Sequence, residues 1–183
     1  MEETKQQKWQ GKASSSLPTA NPDAAWSLLS KFCDIHLYLP GVAICERVAG
    51  TEGQPGCVRY VSNTAGDSGE AVSWAREELV AFDAAGRRFS YSVNENNLGF
   101  GRYLATFEVV GEEGGGCRLE WGFECEPVVG WSEEGLVGYL HAGVKAIGER
   151  LEEALKGKED DDANANTDTN AKADADVTTT RSG

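Results

Sequence analysis

Only two histidines, His36 and His141, occur in the 183 residues, and the five cysteines at 33, 45, 57, 117 and 125 include no CxxC pair. Structural zinc sites gather Cys and His at short spacings, so neither a metal nor a cofactor is expected. Bases are also short: 17 Lys and Arg stand against 30 Asp and Glu, a net charge of −13. Such a surface repels phosphate, which argues against nucleic acid and anionic membrane as partners. No apolar run approaches the roughly 20 residues that span a bilayer, and the start, MEETKQQKWQGK, has no signal-like apolar segment. A soluble, cytoplasmic monomer is the expectation.

What is present is enough for one core, with 40% apolar residues and 16 aromatic side chains split among five Trp, five Tyr and six Phe. Residues 1–7 read as a flexible N-terminus and 8–156 as a single ligand-binding domain. From 157 to 183 the chain has no aromatic residue and many acids, and is expected to be a disordered acidic tail. Within the domain, NPDAAWSLLSKF offers Asn21 as an N-cap, Pro22 at the first helical position and an apolar side of Ala25, Trp26, Leu29 and Phe32. A short second helix is expected over 34–38, stopped by Pro40 and Gly41.

Strands are expected over 8–16, 43–49, 56–62, 71–81, 88–94, 101–110 and 117–125, separated by glycine-rich turns. The last alternates most cleanly, with Cys117, Leu119, Trp121, Phe123 and Cys125 on one face and Arg118, Glu120 and Glu124 on the other. A closing helix after Ser132 repeats Leu136, Leu140, Val144, Ile147, Leu151 and Leu155 at spacings of three and four. That stripe must lie on the concave face of the sheet. Gly138, Gly143 and Gly148 then either shorten the distance between helix and sheet or leave space beside the helix for a ligand.

Three polar residues stand where apolar ones are expected. Arg59 in GCVRYVS shares its strand face with Cys57 and Val61, and a guanidinium there is costly unless a carboxylate answers it. Glu77 in WAREELVAF is the candidate partner, although parity alone leaves open which side of that strand faces in. Tyr103 falls on the inner face with Ala105, Phe107 and Val109. A buried ion pair without function is the competing explanation at this point.

KWQGK, NPDAAWSLLSKFCDIHLYLPGVAICERVAG, GCVRYV, WAREELVAFD, SYSV and RYLATFEVV together resemble the plant lachrymatory factor synthase family, within the helix-grip superfamily of birch-pollen allergens, START domains and polyketide cyclases. The likeness runs from about residue 8 to 155. It implies an α+β helix-grip fold, a curved seven-stranded antiparallel sheet around a long C-terminal helix with a central cavity. It also implies that Arg59, Glu77 and Tyr103 are catalytic. A small hydrophobic or sulfur-containing molecule is expected to bind against Trp26, Tyr91, Phe107 and Trp121. The implied reaction is a cofactor-free proton shift turning an unsaturated sulfenic acid into a thial S-oxide, with Arg59 holding the S–O charge. Binding of an apolar metabolite without reaction is the alternative. The segment NENNLGFGRY departs from the family by its glycines and arginine, which implies a different substrate shape. His36 and Trp131 are further candidates for the entrance.

Overall fold

The computed structural model describes residues 7–64 and 71–175. Seven antiparallel strands form one sheet: β1 (Trp9–Leu17), β2 (Ile44–Ala49), β3 (Val58–Thr64), β4 (Ala71–Asp83), β5 (Arg88–Asn96), β6 (Tyr103–Gly111) and β7 (Cys117–Cys125). Their spatial order is β1-β7-β6-β5-β4-β3-β2. Consecutive strands from β2 to β7 are therefore neighbours, and β1 closes the far edge by pairing with β7. Two short elements between β1 and β2, α1 (Pro22–Leu29) and a 3₁₀ helix (Phe32–Leu37), and the long α2 (Glu133–Ala175) complete the α+β helix-grip arrangement.

Local chemistry accounts for the elements that position the cavity. The Asn21 side chain accepts hydrogen bonds from the backbone N–H groups of Asp23 and Ala24 at 2.9 and 3.2 Å, satisfying two otherwise orphaned donors of α1. Ser132 does the same for α2, accepting from Gly135 N at 3.0 Å. Leu136, Leu140, Val144, Ile147 and Leu151 are each at most 1% exposed, so the stripe read from spacing is the buried face. Each such side chain contributes roughly 1.5–3 kcal/mol.

Glycine lets α2 approach the β1–β7 side of the sheet. A Cβ on Gly143 would stand 2.7 Å from the Trp121 ring, and one on Gly148 would stand 3.0 Å from Ser15 Oγ, whereas Gly138 faces open space. With α2 drawn to that side, the inner face of β3 to β5 is roofed by the 3₁₀ helix and the segment after it. A hollow is left between the two covers.

In the structure α2 runs from Glu133 to Ala175, past residue 156 where the domain was expected to end and a disordered tail to begin. Residues 157–162 are exposed, and the extension propagates from an already nucleated helix at one hydrogen bond per residue. The remainder of the expected tail, 176–183, lies outside the described residues, as do 1–6 of the expected flexible start. Parity leaves the inward side of β4 open, and burial decides it. Ala75 and Leu79 are buried while Val72 and Val80 are 57% and 42% exposed, so the small-residue side that includes Glu77 faces in.

Candidate functional site

Strand register brings the site together. Arg59 on β3 lies opposite Glu77 on β4, Glu77 opposite Val93 on β5, and Val93 opposite Tyr103 on β6. The four residues form one row across the sheet with their side chains on the concave face. Adjacent strands are about 4.8 Å apart, so Glu77 and Tyr103 stand roughly 10 Å apart across Val93. A small molecule resting over that valine can touch both.

The row opens into a cavity of about 320 Å³. Arg59, Glu77, Tyr91, Tyr103, Phe107 and Trp121 all line it, and Trp131 and Tyr139, both partly exposed, stand at its mouth. The volume lies at the small end of the roughly 300–1,000 Å³ usual for ligand pockets, a size for a compact molecule and not for a long acyl chain.

Arg59 is 2% exposed and heavily committed. Its Nε donates to Glu77 Oε2 at 2.7 Å, Nη2 is ion-paired with the same oxygen at 2.6 Å, and Nη1 donates to the carbonyl oxygen of Phe32. Its guanidinium carbon lies 3.9 Å over the Phe32 ring and 5.0 Å from the centre of the Tyr91 ring. Burial pulls the arginine pKa down, but Glu77, by charge and hydrogen bond, together with Tyr91 and Cys45 more than offsets it and the group is held above its ordinary value. The side chain is thus a fixed cation that orients one carboxylate.

Glu77 has one oxygen left over. Oε2 takes both arginine contacts, while among the described residues Oε1 accepts no hydrogen bond, and the side chain keeps 12% of its surface accessible. Besides Tyr139 at the mouth, two phenols share the cavity with it. Burial pushes the Tyr103 and Tyr91 hydroxyls up, and the negative charge of Glu77 pushes them further in the same direction. Both stay neutral donors at ordinary pH. Tyr103 is held between Phe100, with ring centres 4.8 Å apart, and Phe123, at 5.9 Å.

The loop that departs from the resembling family forms part of the wall. Asn96 pins it: Oδ1 accepts from Leu98 N and Phe100 N, both at 3.0 Å, and Nδ2 donates to Phe100 O at 2.9 Å. Leu98 and Phe100 are thereby presented to the cavity.

Other expected residues fall elsewhere. Trp26 does not line the cavity; its ring packs 5.4 Å from Phe82 and 6.1 Å from Phe89 in the closed end of the core, because α1 points its apolar side at the sheet. His36 is likewise outside the lining, in the 3₁₀ helix, with Nδ1 buried and unpaired. Sequence reasoning missed Tyr139, whose ring packs edge-on to Trp121 and Trp131 at 6.1 and 6.3 Å. Its position three residues after Leu136, beside the core stripe, was the available signal. It also missed Ser62, which lines the cavity with a buried Oγ that has no partner among the described residues. The Trp121 indole N–H is equally buried and, among the described residues, equally without a partner.

Known proteins agree with this architecture. A family model described as polyketide cyclase / dehydrase and lipid transport matches residues 10–156. Among solved structures, the chain is similar to the protein XoxI from Bacillus cereus, with 24% identity and a TM-score of 0.64, covering 82% of this chain and 98% of that one. It is also similar to an uncharacterized protein from Bacillus thuringiensis, with 25% identity and a TM-score of 0.62, covering 78% of this chain and 98% of that one.

Proposed function

The chain belongs to the polyketide cyclase / dehydrase and lipid transport family, and from that premise we propose that its cavity takes a small, mainly apolar molecule within which Glu77 moves a proton without a cofactor. One observation carries this reading. An acid in an apolar hollow has one oxygen fixed by an arginine and the other without a hydrogen-bond partner among the described residues, with neutral phenols nearby. General acid–base work requires a carboxylate held still with an oxygen to spare.

The finer reading rests on the likeness to lachrymatory factor synthases. The molecule is then a 1-alkenyl sulfenic acid. Glu77 takes the proton from the S–O–H group, the oxygen keeps that electron pair as the S-oxide, a sulfur lone pair forms the new C=S bond, and the C=C pair takes a proton back from Glu77 at the carbon beta to sulfur. The product is a thial S-oxide, and protons and electrons balance without an oxidant. Arg59, with its N–H groups turned to Glu77 and Phe32, is a positioning residue here. The charge developing on oxygen is met instead by the Tyr103 and Tyr91 hydroxyls.

A second reading, binding without reaction, draws support from the Ser62 hydroxyl and Trp121 N–H, unpaired among the described residues, since buried polar groups generally find partners and a ligand could supply them. One experiment separates the two. The protein is mixed with alliinase and a propenyl cysteine sulfoxide, and thial S-oxide is measured by gas chromatography. The catalytic reading expects product from the wild type and none above background from Glu77→Gln, with the folded circular-dichroism spectrum kept. No product, together with a small molecule retained in native mass spectrometry, assigns the cavity to binding.

A further inference from the structure

Outside the cavity, the start of the 3₁₀ helix meets the loop that leads into β3, and two sulfurs face each other there. Cys33 Sγ and Cys57 Sγ are 3.9 Å apart. A carboxylate oxygen of Glu52 completes a group of three ligand atoms that all lie within 4.8 Å of one another. Glu52 is held toward the sulfurs by its own hydrogen bond, Oε1 accepting from the Cys33 backbone N–H at 3.3 Å.

The loop carrying Glu52 is tightly folded. Gln54 N donates to Thr51 O at 3.1 Å and Cys57 N to Gln54 O at 3.0 Å. Gly50 has φ +74°, and a Cβ there would lie 2.4 Å from Gly56 O, so only glycine lets the two ends of the loop approach this closely. Cys57 is fully buried, Cys33 half-buried and Glu52 exposed, which leaves the group closed on the protein side and open to solvent on the other.

We propose that Cys33, Cys57 and Glu52 form a binding site for a thiophilic divalent cation of the zinc class, distinct from the ligand cavity, with water in the fourth position. Two sulfurs each about 2.3 Å from a tetrahedral zinc lie about 3.8 Å from one another, so the ion fits with almost no movement of either thiol. A disulfide would need the same atoms to close to about 2.05 Å. The mixed donor set, two soft sulfurs and one carboxylate, matches zinc and cadmium better than calcium or magnesium, which prefer oxygen throughout. Short-spacing motifs miss such a site because its ligands come from separate elements, 24 residues apart in the case of the two cysteines.

The position ties the site to the fold around Arg59. Cys33 follows Phe32, whose ring and carbonyl hold the guanidinium, and Cys57 precedes Arg59 by two residues on the same side of the chain. A bound cation would brace the same two segments from behind.

The test uses the full-length, reduced chain titrated with Cd²⁺ and Zn²⁺, read by sulfur-to-cadmium charge-transfer absorbance and by calorimetry. One ion per chain is expected, with the absorbance of two thiolates. Cys33→Ser should weaken binding at least as much as the ~10–100-fold that loss of a supporting partner costs a metal site, and Glu52→Gln by about tenfold. Cys45→Ser should leave it unchanged. Cys33 and Glu52 are partly or fully exposed, so these variants remain informative even if Cys57→Ala fails to fold. Absence of stoichiometric binding overturns the proposal. So does binding indifferent to Cys33→Ser, or a native chain that carries a Cys33–Cys57 disulfide and takes up no metal.

Discussion

The outer face of the sheet carries Arg118, with Nη1 3.0 Å from Glu112 and Nη2 3.0 Å from Glu120, and Lys12, 2.6 Å from Glu120. The inner face carries Arg59 and Glu77 at 2.6 Å. The distances are alike and the surroundings are not. Arg118 is 36% exposed, whereas Arg59 is nearly dry between two aromatic rings. Water screens the outer network so that each pair contributes little, while the inner pair had to shed its hydration before it could form. A hydrophobic pair of similar volume would serve stability at least as well in the interior. Stability alone therefore does not explain why the inner pair is ionic; the proton shift proposed for Glu77 would.

The largest expected effect comes from breaking the inner pair on one side. Arg59→Met leaves the Glu77 carboxylate buried without its cation and should lower unfolding free energy by about 3–5 kcal/mol in urea titrations. A loss below 1 kcal/mol would mean that the inner pair behaves like the outer ones. Alkali probes the same interior more gently. Tyr91 and Tyr103 are held above their ordinary value by burial first and by Glu77 second. The folded chain then keeps protons that the unfolded chain gives up. Stability should be complete below about pH 10 and fall above it by about 1.4 kcal/mol per pH unit for each phenol. Tyrosinate absorbance near 295 nm should rise for these two rings only as the fold is lost. The smallest effect belongs outside: Arg118→Ala should leave the urea midpoint nearly unchanged, and 1 M salt should shrink the difference further.

The same contrast of faces marks how far the residues could be read in advance. Strand β7 alternates without interruption, so its inner and outer sides were legible, as were the Asn21 cap and the Leu136 to Leu151 stripe. Strand β4 was not, and the reason is local. Its register shifts between Leu79 and Ala81, so Phe82 returns to the inner side, opposite Phe89, after Val80 has pointed outward. Counting by twos across that bulge puts Val80 and Phe82 on one face when they lie on opposite ones. The row of Arg59, Glu77 and Tyr103 was legible as residue types out of place and through family likeness. That Arg59 is clamped by the Phe32 carbonyl, and that Tyr139 and Ser62 join the cavity, depend on packing between distant segments. The helix past residue 156 was hidden for another reason: composition reports the absence of a packed face and is silent on propagation from a helix already formed.

The claim at the centre, that the inner ion pair is kept for chemistry, is tested most directly by the double variant Arg59→Met/Glu77→Leu, measured for thial S-oxide formation once its melting temperature is known. The account predicts a folded protein that melts within a few degrees of the wild type, or above it, and forms no product from a sulfenic acid that the wild type converts. Product at the wild-type rate from the double variant would contradict it.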